Sequence, residues 1–351
     1  MSLPCGIRNY KYAQDMAIVR TGTQWALMGV LFVFVLTMPL YLSNYWLGVF
    51  NNIGITLIAA LGLNLLVGYC GQLSIGHVGF IAVGAYTSTI LTSQYHVPFA
   101  VGLLSAGIVS GIIGAIFGLP SVRVKGFYLA ITTIAAQFII IWIISHWKIT
   151  GGFNGLSVPY ASLFGFEFST RSSQYYLIIV IAIAAIFFAK NIARTKLGRA
   201  FIAIRDNDLA AEVMGVNLLY YKSLAFFIGC FFAGIAGSLL AHTTYTLNPE
   251  QFTFTDSILY IAMIIIGGLG TTLGPILGVV FIVLLKNAIL PNYLVPWLGN
   301  TFTVLPAGFT SGVAPMVFGI ILVLFLVLEP RGLAHRWTLF KAAYRLWPFS
   351  Y

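Results

Sequence analysis

Ten runs of apolar residues follow one another along the chain, at 25–42, 46–68, 75–93, 97–119, 127–145, 174–189, 223–243, 257–266, 271–290 and 313–328. A helix needs about 20 apolar residues to cross a bilayer, and most of these runs meet or approach that length. Between them the chain has little to offer water: Asp, Glu, Lys and Arg make up 7% of its 351 residues, against roughly 25% in an ordinary soluble domain. A soluble enzyme, a disordered chain and a nucleic-acid-binding domain are thereby excluded. The expectation is an all-α, polytopic membrane helical bundle of about ten transmembrane helices, some of them broken or glycine-interrupted. Residues 1–24 form an N-terminal segment, 25–328 the membrane domain with a long polar loop at 190–222, and 329–351 a basic and aromatic tail.

The charges that remain are distributed unevenly. With the amino terminus in the cytoplasm and alternating spans, the inner loops carry Arg8, Lys11, Arg20, Arg123, Lys125, Lys190, Arg194, Lys196, Arg199, Arg205, Lys222, Arg331, Arg336, Lys341 and Arg345, while the outer loops carry Lys148 and Arg171. That asymmetry follows the positive-inside rule and puts both termini in the cytoplasm. Lys286 falls within the ninth run, near its outer end, and Asp256 at the mouth of the eighth. The tail mixes four cations with Trp337, Phe340, Tyr344 and Trp347, which suits an interfacial helix on an anionic leaflet of membrane lipid. Cys5, Cys70 and Cys230 are too scattered for a disulfide or metal framework. Rows of small residues mark the fourth span (Gly107, Ser110, Gly111, Gly114, Gly118) and the seventh (Ala233, Gly234, Gly237, Ser238). Such rows let helix backbones approach closely in lipid.

Several chemistries find no foothold. The pair Gly-Lys occurs nowhere, so no P-loop for nucleotide phosphates can form. There is no HExxH or GxSxG motif and no paired-His metal spacing, and no carboxylate falls deep inside a run, as coupling to protons or sodium would ask. The expectation is a non-enzyme that binds no metal and no cofactor of its own.

Three segments break the pattern. In Gly71-Gln72-Leu73-Ser74-Ile75-Gly76-His77-Val78-Gly79-Phe80 glycines let the backbone leave the helix, and Gln72, Ser74 and His77 are placed to satisfy freed backbone groups or to meet a polar solute. Non-helical backbone at membrane depth is tolerated only inside protein or along a cavity. Both a tight cytoplasmic turn and a translocation path or gate built on Gln72, Ser74, Gly76, His77 and Gly79 fit this pattern. A second glycine-rich break, Gly267-Gly268-Leu269-Gly270-Thr271-Thr272-Leu273-Gly274-Pro275, loosely echoes the first, and paired interruptions in two halves of a transporter point to its central path. Gly267, Gly268 and Gly270 therefore join the candidate path. In the loop at 190–222, Asp206, Asn207 and Asp208 can cap a short helix over 208–214. Glu212 lies early in that helix, and Gly215 ends it. Leu209, Ala210, Val213 and Met214 give the helix an apolar face, which asks either for a soluble partner or for the underside of the bundle.

Together these segments resemble the inner-membrane permeases of branched-chain amino acid ABC importers, the LivM type. The resemblance rests on Gly71-Gln72-Leu73-Ser74 with Gly76-His77 and Gly79-Phe80, on Lys125-Gly126-Phe127-Tyr128-Leu129-Ala130, on Thr150-Gly151-Gly152-Phe153-Asn154-Gly155-Leu156, on Gly198-Arg199-Ala200, on Ala203-Ile204-Arg205-Asp206-Asn207-Asp208 with Ala210-Ala211 and Gly215, and on Gly267-Gly268-Leu269-Gly270. It implies a permease subunit importing branched-chain or related hydrophobic amino acids across the inner membrane. The implied partners are a second permease subunit, two P-loop ATPase subunits that use the ATP, and a periplasmic-type amino-acid-binding protein. Arg205, Asp206, Asp208, Ala210, Ala211, Glu212 and Gly215 would form the ATPase-coupling helix. Importer permeases carry an EAA-x-x-x-G element there; Ala210, Ala211 and Gly215 fit its spacing, while Leu209 replaces the glutamate. The alternatives are a urea or short-amide permease of the same family and a stand-alone channel or facilitator for small neutral solutes.

Overall fold

The computed structural model describes residues 22–122, 124, 126–163, 165–294, 309–329 and 331–346. Arg8, Lys11, Arg20, Cys5, Arg123, Lys125, Trp347 and most of the 1–24 segment lie outside them. Two compact units are present, Met1–Leu47 and Gly48–Tyr351. The first contains helix α1 (Gly22–Tyr41) and the start of α2 (Asn44–Leu63).

The rest of the helices belong to the second unit. The α2 helix widens into π-type turns over Asn64–Tyr69. Then come α3 (His77–Ser93), α4 (Phe99–Gly118), α5 (Phe127–His146), α6 (Arg171–Arg194), α7 (Lys196–Asp206), α8 (Asp208–Val213) and α9 (Leu218–Thr244). After α10 (Phe254–Gly267) and α11 (Gly274–Leu284), whose last turns widen over Leu285–Leu294, the chain closes with α12 (Phe309–Leu328) and α13 (Leu333–Leu346). Each of the ten apolar runs coincides with a helix. Six helices among the described residues are long and apolar enough to cross a membrane: Asn44–Tyr69, Phe99–Ser121, Phe127–His146, Arg171–Arg194, Leu218–Thr244 and Gly274–Asn292.

The core is a tight group formed by α3, α4 and α9, and it is built on the small-residue rows. A Cβ at Gly84 of α3 would strike the Gly234 backbone of α9, and one at Gly234 would strike the Ala106 carbonyl of α4. Gly107, Gly111, Gly114 and Gly118 of α4 make room for Phe231, Phe227, Cys230 and Phe226 of α9. With no hydrophobic force between helices in lipid, such close backbone approach supplies the packing energy. Inside this group Ser238 Oγ donates to Ser88 Oγ at 2.7 Å, and the Ser110 hydroxyl donates to the Phe80 carbonyl at 2.8 Å.

The connections fall into two groups at opposite ends of the unit. At one end the loop 150–157 pairs with the chain after α9: strand β1 (Leu156–Ser157) is antiparallel to β4 (Thr246–Leu247), and a small hairpin joins β2 (Ser162–Leu163) to β3 (Phe166–Glu167). Gln174 and Tyr245 hydrogen-bond there. Burial pushes the Tyr245 hydroxyl above its usual range, and it donates to the Ser169 carbonyl at 3.3 Å. At the other end lie the glycine-rich breaks, the short helices α7 and α8, and the start of α13. In α13 the rings of Trp337 and Phe340 stack on an exposed face while Ala334 is buried.

Candidate functional site

Helix α3 does not start where α2 stops. After Tyr69 the chain leaves helical geometry for residues 70–76 and runs back into the bundle, so that His77 Nε2 lies 3.2 Å from the Ala59 carbonyl. Ala59 is about ten residues, or roughly 15 Å, back along α2 from that turn. That is half the ~30 Å of a hydrocarbon core. The sequence left both a tight cytoplasmic turn and a path or gate open for this segment, with residues 71–76 near the inner face. In the structure Gly71 and Gln72 line a cleft beside Arg205 and Asp206, while Ser74 and His77 are fully buried. Gly76 is obligatory at the bend, because a Cβ there would collide with the Thr133 carbonyl oxygen of α5.

Such a re-entrant backbone has to find hydrogen-bond partners, since none comes from lipid. It finds them on α5 and α10. Ile75 N–H donates to Thr133 Oγ1 at 3.0 Å, Val78 N–H donates to Ser257 Oγ at 3.1 Å, and Ser257 Oγ donates to Gln137 Oε1 at 2.8 Å. Thus α3 and α10 begin beside one another, and run from there to opposite ends. Neither helix, at 17 and 14 residues, spans alone. The Ser74 hydroxyl and His77 Nδ1 are buried without a hydrogen-bond partner among the described residues. Backbone breaks of this kind in transporters present half-helix N-termini near the bilayer midplane.

The two glycine-rich breaks meet. Asn64, in the widened end of α2, accepts from Gly270 N–H at 3.0 Å through Oδ1 and donates to the Thr271 carbonyl at 2.9 Å through Nδ2. Gly268 and Gly270 have φ of +114° and +70°, which a side chain would strain, and a Cβ at Gly270 would press on Arg205 Nη1 and the Gly68 carbonyl. Arg205 ties the loop helices to this junction: Nη1 donates to the Gly68 carbonyl at 3.0 Å, while Nη2 and Nε hold Asp206 Oδ1 at 3.0 and 3.1 Å. Gly71, Gln72, Arg205, Asp206 and Asp208 line one polar cleft of about 330 Å³. Two groups of residues singled out separately in the sequence thus share a wall.

Helix α8 forms as its caps dictate. Asn207 Oδ1 accepts from Ala210 N–H at 3.1 Å, and Gly215 follows the helix with φ +88°. Ala211 faces inward, whereas Ala210 and Glu212 are exposed. So are Leu209, Val213 and Met214, the last two at 87% and 83%. The helix is anchored by a pair that the sequence reading missed. Lys222, at the start of α9 and only 1% exposed, places its ammonium 3.4 Å from Asp208 Oδ2 and 3.3 Å from the Ser121 carbonyl. Asn64, Thr133, Gln137 and Ser257 were missed as well. A lone amide inside an apolar run, as at Gln137, was a usable signal; the 207-residue separation of Asn64 from Thr271 left none.

A bundle of apolar helices with a segment that turns back into it, and a short helix with an exposed apolar face, defines a multi-pass membrane protein. The pattern of the branched-chain amino acid transport system permease component matches residues 45–326, and the chain belongs to that family. It is 31% identical over 323 residues to the high-affinity branched-chain amino acid transport system permease LivM of Salmonella typhimurium, covering 84% of this chain and 76% of that one. The probable LivM of Methanocaldococcus jannaschii is 26% identical, covering 80% and 90% respectively. The LivH permease of Escherichia coli is 25% identical over 238 residues, covering 62% and 76%. No solved structure matches.

Proposed function

We propose that this chain is one permease subunit of an ATP-driven importer for branched-chain amino acids. It pairs with a second, LivH-like permease subunit and is moved by two soluble ATPases. It lies in the inner, or plasma, membrane and receives its solute from a periplasmic-type amino-acid-binding protein outside it. The ten helical segments serve as the spans or half-spans, both termini face the cytoplasm, and 190–222 is the coupling loop. The observation that carries this reading is the connection of α8 to the pathway breaks. An exposed apolar face at Leu209, Val213 and Met214 has every reason to be covered by protein, and Arg205 joins its loop to Gly68 at the junction with Gly270. Force applied to α8 would therefore reach both breaks through hydrogen bonds. Gln72, Ser74, Gly76, His77, Gly79, Gly267, Gly268 and Gly270 form the path or its gate. Reconstitution tests the reading: proteoliposomes with this chain alone should pass neither leucine nor urea, and ATP-dependent leucine accumulation should appear only with the ATPases, the second permease and the binding protein added. Leucine or urea flux through the chain alone would favour the facilitator instead.

A further inference from the structure

Two charged residues, 30 positions apart in the sequence, pair on a partly exposed wall of the bundle. Lys286 Nζ lies 3.3 Å from Asp256 Oδ1, and Asp256 Oδ2 accepts from the Thr253 hydroxyl at 2.7 Å. Both lie about 16–18 Å along their helices from the glycine-rich end, at ~1.5 Å per residue. They therefore lie at the depth where α3 begins, not at the outer end where the sequence put Lys286, and Asp256 is a carboxylate deeper than the runs suggested. Charges at that depth are costly in lipid and mark solute pathways when they face a cavity. Here they do: both line a cavity of about 160 Å³, similar in size to the ~150 Å³ void that takes up benzene.

The cavity has two kinds of wall. Asp256 and Lys286, with Asn52 and Thr56, contribute polar groups to it. Val78, Ile81, Met263 and Ile282 contribute apolar ones, each at most 5% exposed. An anion and a cation side by side, in a cavity that also has an apolar lining, match a zwitterion that carries an apolar group. The pair is open enough to exchange partners, with Asp256 at 34% and Lys286 at 51% exposure.

We infer that Asp256 and Lys286 form a binding site for the backbone of an α-amino acid. The ammonium group takes Asp256, the carboxylate takes Lys286, and the aliphatic side chain enters the Val78–Ile81–Met263–Ile282 lining. This inference rests on the import reading above and names the place where that solute pauses. An amide without a carboxylate leaves Lys286 without its counter-ion and binds poorly.

The test is uptake of radiolabelled leucine by cells expressing the full chain with its transport partners, with membrane abundance measured for every variant. Asp256→Asn and Lys286→Gln should each lower uptake at least tenfold, and leucinamide should not compete in the wild type. The double variant Asp256→Asn/Lys286→Gln leaves no unpaired charge; it should stay as inactive as the singles. Recovery of uptake in the double variant would mean that the pair only joins two helices, and would overturn the inference. Should the neutral variants fail to accumulate, Lys286→Arg and Asp256→Glu decide. Both keep the charges and should raise the KM for leucine at least fivefold at normal abundance, and an unchanged KM overturns the inference. Absence of leucine uptake in the wild type would instead overturn the import reading, before any variant is compared.

Discussion

Lys222 is the residue that holds the loop helices to the bundle. Its ammonium is buried between the Asp208 carboxylate and the Ser121 carbonyl, so each partner is worth most as protection for the other. Removing one member of a buried pair leaves an uncompensated charge and costs about 3–5 kcal/mol, whereas removing both is often near neutral. Asp208→Asn should therefore lower the melting temperature of the detergent-solubilised chain more than Lys222→Met, and the double variant Asp208→Asn/Lys222→Met should recover most of the loss. A double variant no better than Asp208→Asn would show that Lys222 packs by its alkyl stem alone. Asn64 is the matching residue at the other side of the junction. Replacing it by Leu strands the Gly270 N–H and the Thr271 carbonyl, each at about 1–3 kcal/mol when buried and unsatisfied. Asn64→Leu should melt earlier than Asn64→Asp, which keeps the acceptor for Gly270; equal melting would remove Asn64 from the contact between the breaks.

Helix α8 is the element whose surface and stability can be separated. Val213 and Met214 are almost fully exposed, and substitutions at such positions usually move stability by no more than about 0.5 kcal/mol. Val213→Asp and Met214→Asp should accordingly leave membrane abundance and melting unchanged. Each places a charge in the face proposed to meet an ATPase, so ATP-driven leucine uptake should fall at least tenfold and co-purification of the ATPase should weaken. Normal uptake in both variants would move the docking surface off α8. The short helices α3 and α10 have a different logic. Helix α3 takes its first-turn partner from α10, Val78 N–H to Ser257 Oγ, which closes with Gln137, while α10 is capped by its own Thr253. Ser257→Ala breaks that chain at both ends and is expected to reduce uptake with abundance retained, read in the same assay.

At the scale of the whole molecule, most of the architecture was legible because lipid leaves a chain few choices. Ten apolar runs became ten helices, and the glycine rows at 107–118 and 233–238 became the seam between α4 and α9. The cap at Asn207 and the stop at Gly215 were likewise readable, since both act over three or four residues. What escaped was every feature made by long-range contact. Hydropathy gives the length of a run but not the depth at which its helix begins, so the return of residues 70–76 to half depth was invisible, and with it the meeting of His77 and Ala59. The pairing of Lys286 with Asp256, and of Asn64 with Gly270, needed the fold. Sidedness remains legible only through charge. The cluster of Lys196, Arg199, Arg205 and Lys222 lies at the end with the glycine-rich breaks, and the strands with Glu167 lie at the other. The positive-inside rule assigns the first end to the cytoplasm. Cys70 and Cys230 are buried and should not react, so single cysteines introduced into a Cys5→Ser background report cleanly. Leu209→Cys should react with a membrane-impermeant maleimide only after the cells are opened, and Glu167→Cys should react in intact cells. The reverse pattern would invert the bundle, put α8 outside and leave the ATPases without a surface to move.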